Sequence, residues 1–327
     1  MDFSLNTDQK DLRERIIGFA REQLNQDVIR RDREQIFPRD LWHKCAGQGL
    51  LGLPVPPEYG GLGLDPLSTA LAMEALGYGC QDAGLVFSIG AHLFTGVVPM
   101  CKHGSPEQKR RYLPGLCNGS RIGIGAMTEP ASGSDAFALS TRAVPDGGGF
   151  RLNGSKRFIA NVPSAELVIV YAVTDAEKGY HGGVSAFLLE KGWAGFRARA
   201  PYDKMGLRSS ELGELVLDDV RVPGEALLGA PGAGTSIFNH AMDWERVCLL
   251  ASHVGTMERL LEKSIEYART RRQFGQTIGK FQAISNRIAD MKVRLEAAHL
   301  LVCRAATNLE KRRTVSLDAA IAKLFVS

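Results

Sequence analysis

The feature that most constrains the fold is a regular run of apolar residues near the C-terminal end. They recur at alternating steps of three and four residues: Phe281, Ile284, Ile288, Met291, Leu295, Ala298, Val302, Ala305 and Leu309. A period of about 3.5 residues places them along one face of a helix that packs against other helices. A similar pattern runs from Val247 to Ala268. The sequence therefore predicts a bundle of long helices in this region.

The middle of the chain has a different texture, with short apolar runs separated by turn residues. LVIVYAV at 167–173 and VSAFLL at 184–189 have the length of strands. Asp146-Gly-Gly-Gly149 and Asn153-Gly154 are turn signals, and the second is typical of a tight hairpin. We therefore expect an antiparallel β domain here.

The first 120 residues favour helices. Ser105, Pro106 and Gln108 combine an N-cap, a first-turn proline and a capping-box glutamine. We expect an α+β protein with an N-terminal helical domain at 1–120, a middle antiparallel β domain at 121–232 and a C-terminal helical bundle at 233–327. Because the final AAIAKLFVS still has helical character and no capping signal, we expect the bundle to be incomplete in this chain.

Bulk properties argue against several classes of protein. We find no apolar run near the roughly 18 residues of a membrane span and no secretory signal at the N-terminus, so we expect a cytoplasmic protein. A net charge of +4 is too mild to indicate nucleic-acid binding by itself. The six cysteines form no C-x-x-C pair and no zinc-like spacing with histidine, so we expect no metal.

Four motifs resemble those of the acyl-CoA dehydrogenase family. They are AMTEPASGSD at 126–135, NGSKRFIAN at 153–161, DKMGLRSS at 203–210, and YARTRRQFG at 267–275 followed by Phe281-Gln282. They lie in the family's order and on elements of matching type. The resemblance implies the same order of helical, β and helical domains. It also implies an FAD-dependent oxidoreductase acting on CH–CH groups, which dehydrogenates an acyl thioester between its α and β carbons.

The first motif is the one that resembles a flavin-binding segment. By the resemblance, Met127 and Thr128 contact the flavin, Thr128 by a hydrogen bond to the ring, and Ser134 lies where the cofactor meets the thioester tail. Small residues allow the backbone to approach a flat cofactor. The alternative is a Ser/Gly-rich surface turn.

The second motif departs from the family at one position. The family places an aromatic residue against the flavin and a threonine hydroxyl near its N5 atom, where this chain has Phe158 and Ala160 on either side of Ile159. Phenylalanine still offers a flat apolar face. Alanine has no hydroxyl, so only a backbone contact with N5 remains, and this affects the redox tuning of the flavin rather than its binding.

The fourth motif implies a shared cofactor site. By the resemblance, Arg271, Gln273, Phe274 and Gln282 reach the FAD of a neighbouring protomer. An arginine fork suits a pyrophosphate because it combines parallel donors with full charge. A homodimer or homotetramer is then required. The alternative is an ordinary solvated helix face.

The candidate catalytic base is Glu245. Proton removal next to a thioester needs a carboxylate, and an apolar pocket raises the pKa of a carboxyl group towards neutral pH. Most family members carry this glutamate near the C-terminus, but a minority carry it where this chain has Asp243-Trp-Glu-Arg246. Asp243, Arg246 and Ser134 are expected to contact the substrate. The alternative is that Glu245 is a first-turn acid favoured by the helix dipole.

The identity of the tether and of the electron acceptor stays open at this point. Trp244-Glu245, the opening MDFSLNTDQ and the run at 84–93 resemble a branch that oxidises prolyl or acyl groups on carrier proteins, whereas residues 204–208 keep the general acyl-CoA pattern. The acceptor is an electron-transfer partner or O₂. Two other functions remain on this fold: a flavin-dependent oxidase or monooxygenase, and a non-catalytic flavoprotein that binds nucleic acid.

Overall fold

The computed structural model describes residues 4–311 and 315–327. Its contacts group the chain into two compact units. The helical unit comprises Met1–Gln26, Asp65–Gln81 and Arg246–Ser327, and the mixed unit comprises Asp27–Leu64 and Asp82–Glu245. This grouping follows contacts, whereas the boundaries expected near residues 120 and 232 follow sequence texture. Those boundaries stay a prediction.

The α-helices of the described residues occur in both units. In chain order they are α1 (Thr7–Gln23), α2 (Val28–Glu34), α3 (Arg39–Gly47), α4 (Pro66–Gly79), α5 (Ala83–Ala91), α6 (Val98–His103), α7 (Pro106–Cys117), α8 (Gly234–Trp244), α9 (Leu250–Thr270), α10 (Gln282–Lys311) and α11 (Val315–Val326). The predicted capping box at the start of α7 is confirmed, because Ser105 Oγ accepts from the Gln108 amide and the Gln108 side chain accepts from the Ser105 amide. Two π-helical segments, His92–Val97 and Glu245–Leu249, interrupt the helices.

The helical unit consists of α1, α4, α9, α10 and α11. The apolar run predicted for α10 is confirmed in its second half, where Leu295, Ala298, Val302 and Ala305 are buried. The prediction that this face is buried is wrong for Met291, which is 38% exposed. Since α4, α9 and α11 pack against α10, burial depends on which part of the helix has a neighbour, and this cannot be seen from spacing.

The mixed unit contains a large sheet. Its strands are β1 (Gly123–Ala126), β2 (Arg142–Asp146), β3 (Gly149–Ala160), β4 (Leu167–Val173), β5 (Val184–Glu190), β6 (Phe196–Ala198), β7 (Leu212–Pro223) and β8 (Leu227–Leu228). The order is β6-β7-β3-β2-β4-β5-β8, with β1 beside β4. The pairings are antiparallel, as predicted, except that β4 runs parallel to β1 and β2.

One turn prediction is wrong. Asn153-Gly154 lies inside β3 and not in a hairpin, and the β2–β3 turn is made by Gly147 and Gly148. Gly154 has a φ of 151°, and a β-carbon there would lie 2.4 Å from Oγ1 of Thr141. Glycine is therefore required here by a bulge and by a close neighbour. The resulting Asn-Gly pair looks the same in the sequence as one that forms a hairpin turn.

The stretch Ala83–His103 of the mixed unit contains α5, a π-helical segment and α6. Although its sequence has no uninterrupted apolar run of that length, it is long and apolar enough to cross a membrane, but 83% of its most apolar window is buried inside the protein. The core helix of a soluble protein has the same character.

Candidate active site

The first motif forms a tight turn after β1. The Glu129 amide donates to the Ser132 carbonyl at 2.9 Å, and the Ser132 amide donates back to the Glu129 carbonyl at 3.2 Å. The Ser132 hydroxyl also donates to the carbonyl of Asp135. Met127 is 5% exposed, Thr128 is half-buried and Ser134 is exposed. The hydroxyls of Thr128 and Ser134 make no hydrogen bond within the described part of the chain, so both can bind a ligand.

A buried ion pair fixes this turn to the sheet. Lys156 Nζ lies 2.8 Å from Oε1 of Glu129 and donates to the Met127 carbonyl at 3.0 Å. Glu129 also accepts from the amides of Ser140 and Thr141. Burial acts to raise the pKa of Glu129, but Lys156 and these hydrogen bonds outweigh it and lower the pKa to about 2. The carboxylate is therefore charged, and it holds the turn in one position.

A bulge in β3 places the side chain of Phe158 at the surface next to the same turn. The register with β7 shifts between Lys156 and Ile159, and Phe158 has a φ of 56°, a left-handed conformation that costs energy for a residue other than glycine. The Arg157 amide donates to the Thr128 carbonyl at 2.8 Å. Phe158 is 56% exposed, whereas Ile159 is 5% exposed. The bulge thus turns one aromatic face outward beside Thr128.

The neighbouring residues complete this face of the sheet. The Tyr202 ring lies 5.5 Å from the Phe158 ring. Ala160 is half-buried and pairs with Leu212 of β7. Its methyl group carries no donor, so any polar contact of this residue with a ligand must use the backbone.

The π-helical segment His92–Val97 accepts hydrogen bonds from β1, the strand that leads into the first motif. The Gly123 amide donates to Nδ1 of His92 at 3.0 Å, and the Gly125 amide donates to Oγ1 of Thr95 at 2.9 Å. Burial lowers the pKa of His92 to about 4, so the ring is neutral and Nδ1 can accept. A β-carbon on Gly96 would lie 2.5 Å from the Gly123 carbonyl carbon, and this close approach requires glycine.

The same segment also contacts the candidate base region. Phe94 of this segment stacks on Trp244, with ring centroids 6.5 Å apart and an interplanar angle of 23°. Glu245 comes directly after Trp244, is half-buried, and is the first residue of the second π-helical segment. Such segments occur frequently at functional sites. One short element therefore contacts both β1, the strand that leads into the first motif, and Trp244, the residue before Glu245.

The other two expected substrate residues differ in setting. Asp243 is half-buried on α8 within the mixed unit, together with Glu245. Arg246 is exposed and begins the last segment of the helical unit.

Sequence reasoning missed an aromatic cluster next to the first motif. Phe137 lies 4.9 Å from Tyr180 and 5.8 Å from Phe238 of α8, measured between ring centroids. The Asn239 side chain donates to the Tyr180 hydroxyl. This cluster ties the loop after the motif to the helix that ends next to Glu245. Only the aromatic residue types were visible in the sequence, since their contacts join distant segments.

In the helical unit, the residues expected to reach a partner's cofactor lie on a small hairpin. Its strands are β9 (Arg272–Gln273) and β10 (Gln276–Thr277). Arg271, Gln273 and Phe274 are exposed and Gln282 is also on the surface, and Phe274, with a φ of 49°, is 92% exposed. The Arg272 guanidinium donates to the Gly275 carbonyl within the turn. That of Arg271 has no such partner in the described residues, so it can bind an external anion.

Each unit offers groups that fit one part of a flavin dinucleotide. Thr128 and Ser134 offer free hydroxyls, and Phe158 offers an exposed flat face beside them. The guanidinium of Arg271 matches the charge and geometry of a pyrophosphate. In the described ranges, 4–311 and 315–327, no group of three or more potential ligand side chains could hold a metal ion.

Comparisons with known proteins cover nearly the whole chain. The acyl-CoA dehydrogenase N-terminal, middle and C-terminal domains match residues 6–120, 125–220 and 232–327. An L-prolyl-(peptidyl-carrier protein) dehydrogenase of Pseudomonas fluorescens is 45% identical over 100% of this chain and 86% of its own length. A short-chain-specific acyl-CoA dehydrogenase of Megasphaera elsdenii is 38% identical over the same shares.

Solved structures agree with these matches. The prolyl acyl carrier protein oxidase AnaB superposes with a TM-score of 0.96 at 44% identity, covering 99% of this chain and 85% of AnaB. PigA with FAD and proline superposes with a TM-score of 0.97 at 42% identity, covering 100% of this chain and 85% of PigA. The expected α+β fold with helical, β and helical regions is confirmed, and the chain belongs to the acyl-CoA dehydrogenase family.

Proposed function

We propose that this protein is an FAD-dependent dehydrogenase that oxidises a prolyl or related acyl thioester while the thioester is attached to a carrier protein. The observation that supports the chemistry is the π-helical segment His92–Val97, which hydrogen-bonds β1, the strand that leads into the first motif, and stacks on Trp244 next to Glu245. The preference for a carrier protein is supported by relatives that act on prolyl groups carried in this way. We place the enzyme in the cytoplasm.

The flavin half of the cofactor would be held by residues of the mixed unit. Thr128 and Ser134 would hydrogen-bond it, Phe158 would pack against the ring, and Met127, Ile159 and Ala160 would shape the pocket through their backbone. When bound, FAD supplies the acceptor for the hydride that leaves the β carbon. Ala160 has no hydroxyl, so at this position only the backbone would contact the flavin and influence its redox potential.

The adenosine half of the cofactor requires a second copy of the chain. We assign Arg271 to the pyrophosphate and Gln273, Phe274 and Gln282 to its surroundings, all contributed by a neighbouring protomer. These four residues lie at the surface of one chain, as expected of groups that act across an interface. The active enzyme is then at least a homodimer, and a homotetramer satisfies the same contacts.

Glu245 is the proposed base. Its carboxylate accepts the α proton of the thioester, and its half-buried position next to the Trp244–Phe94 stack limits the water that competes for that proton. Asp243 and Ser134 orient the substrate, Ser134 through its free hydroxyl at the motif turn. Arg246 is proposed to contact the phosphopantetheine arm from its exposed position.

The second candidate function is an oxidase that uses O₂ as acceptor. Ala160 favours it, because a small residue beside the flavin leaves room for O₂, and AnaB carries the word oxidase in its name. Turnover in air without any added electron acceptor separates the two. An oxidase turns over repeatedly and consumes one O₂ for each two-electron oxidation, whereas a dehydrogenase stops after its flavin is reduced and resumes only when an electron acceptor is added.

The test of the carrier proposal compares one acyl group on two tethers. Prolyl-carrier protein and prolyl-coenzyme A present the same phosphopantetheine arm, so the matched pair differs only in the group attached to the far end of the arm. We expect a kcat/KM at least tenfold higher with the carrier, a gap of about 1.4 kcal/mol in transition-state binding. Equal or faster turnover of the coenzyme A ester would contradict the carrier proposal and leave the dehydrogenase chemistry intact.

A further inference from the structure

A second cluster of reactive groups lies in the helical unit and takes no part in the proposed dehydrogenation. His299 of α10 contacts both carboxylate oxygens of Glu74 on α4 through Nδ1, at 2.9 and 3.1 Å. Its other nitrogen, Nε2, lies 3.5 Å from the sulfur of Cys303. Cys303 is one helical turn from His299, so both side chains share a face of α10. The order carboxylate, imidazole, thiol is that of an activated nucleophile and its base.

The hydrogen bonds fix how the ring is protonated. Because the Glu74 carboxylate can only accept, Nδ1 of His299 donates to it. Nε2 and the Cys303 sulfur then share one proton. Hydrogen bonds to Cys303 and Glu74 raise the pKa of His299 to about 11 against the effect of burial, which favours the proton on nitrogen. A protonated Nε2 stabilises negative charge on the sulfur, the form that attacks electrophiles.

The residues of this cluster differ in solvent exposure, and Glu74 is the most buried of the three. Glu74 is 7% exposed, and the side chain of His299 is 29% exposed. Cys303 is half-buried. The carboxylate is thus shielded and holds the ring, while the Cys303 residue keeps part of its surface open to solvent.

We propose that Cys303 is a modification site, a nucleophilic thiol that hydrogen peroxide oxidises to a sulfenic acid. The sulfur attacks one peroxide oxygen, the S–O bond forms as the O–O bond breaks, and the departing hydroxide takes the Nε2 proton and leaves as water. Sulfur loses two electrons and the peroxide gains them. His299 is the positioning and proton-donating residue, and Glu74 orients it.

Cys101 provides an internal control, because it is the other half-buried cysteine. Burial raises the pKa of its thiol despite two nearby lysines, and no histidine hydrogen-bonds it in the described residues. The other four cysteines, Cys45, Cys80, Cys117 and Cys248, are buried. Faster labelling of Cys303 than of Cys101 would therefore be an effect of His299 and not of exposure alone.

The experiment labels the purified holoenzyme and follows each cysteine by peptide mass spectrometry. Iodoacetamide reports nucleophilicity, and hydrogen peroxide followed by dimedone reports the sulfenic acid. We expect initial rates at Cys303 at least tenfold above those at Cys101 in both reactions. Equal rates at the two cysteines in the unaltered protein would overturn the proposal without any variant.

A variant then tests the role of the histidine. His299→Gln keeps a donor for Glu74 but removes the shared proton, and it should slow labelling of Cys303 at least tenfold while Cys101 labelling stays unchanged and the protein stays folded at the assay temperature. A second variant, Glu74→Gln, should give a smaller slowing at Cys303 because the ring loses its carboxylate. Unchanged Cys303 rates in a folded His299→Gln protein would also overturn the proposal.

Discussion

Glu129 and Lys156 form an ion pair at 2.8 Å whose side chains are 1% and 0% exposed, respectively. It joins the turn of the first motif to β3, and its remaining polar groups are taken up by Met127, Ser140 and Thr141. A buried pair is costly to desolvate, yet removing one member leaves an uncompensated charge. The pair therefore specifies where Thr128 and Phe158 lie relative to each other.

Removing the lysine should destabilise the fold strongly. We expect Lys156→Met to lower the free energy of unfolding by about 3–5 kcal/mol, since Glu129 is left as a buried charge. Urea unfolding at pH 7 measures the loss.

The matched control is a surface ion pair of the same sheet. Arg197 and Asp218 also lie 2.8 Å apart, but their side chains are 63% and 61% exposed. Arg197→Met should cost less than about 1 kcal/mol. Similar losses in the two variants would show that burial of the Glu129–Lys156 pair has no energetic consequence.

The same pair should make stability depend on acid. The pKa of Glu129 is lowered from 4.5 to about 2 in the folded state, so the folded form holds its proton less tightly than the unfolded form. The contribution of this carboxylate is fully present above the unfolded value and is lost as the pH falls from 4.5 towards 2.

Unfolding free energies of the wild type and of Glu129→Gln, measured from about pH 6 down to about pH 2.5, test this dependence. The difference between the two proteins should shrink as the pH falls. A difference that stays constant over that range would mean that Glu129 does not titrate with the fold.

Cofactor retention should separate Arg271 from Arg269. Both are exposed arginines close together in the fourth motif, but only Arg271 is assigned to a pyrophosphate. We expect Arg271→Ala to weaken FAD binding at least tenfold, because a charged bidentate partner is lost. Arg269→Ala should change it less than twofold. Ultrafiltration of the flavin, with thermal unfolding of the apo form as the folding control, gives both values, and equal retention would remove Arg271 from the site.

Local signals in the sequence predicted local structure well. The capping box at Ser105 and the strands at 167–173 and 184–189 were all visible, because each depends on neighbours within a few residues. The Asn153-Gly154 pair wrongly predicted a hairpin turn, because its glycine is required by the close approach of Thr141, the residue directly before β2. The motif positions were found by resemblance, and their assignment to cofactor and substrate stays a prediction.

Contacts between distant segments were beyond sequence reasoning. Glu129 and Lys156 lie in two motifs that were recognised separately, and nothing in either indicates that they meet. Glu74 and His299 are 225 residues apart, and the support of Trp244 by Phe94 depends on a π-helical segment that has no sequence signature. These pairings arise from packing, which fixes the geometry of the site more than local propensity does.

Glu245 is the residue that we propose removes the α proton, and the rate at which the substrate bleaches the flavin reports that step. Wild type, Glu245→Gln and the exposed control Glu225→Gln, each loaded with FAD, are mixed anaerobically with prolyl-carrier protein. Loss of a general base costs about two to four orders of magnitude. Glu245→Gln should therefore keep its flavin spectrum but bleach at least 100-fold more slowly, while Glu225→Gln should match the wild type. Bleaching of Glu245→Gln at the wild-type rate would show that Glu245 is not the base that removes the α proton.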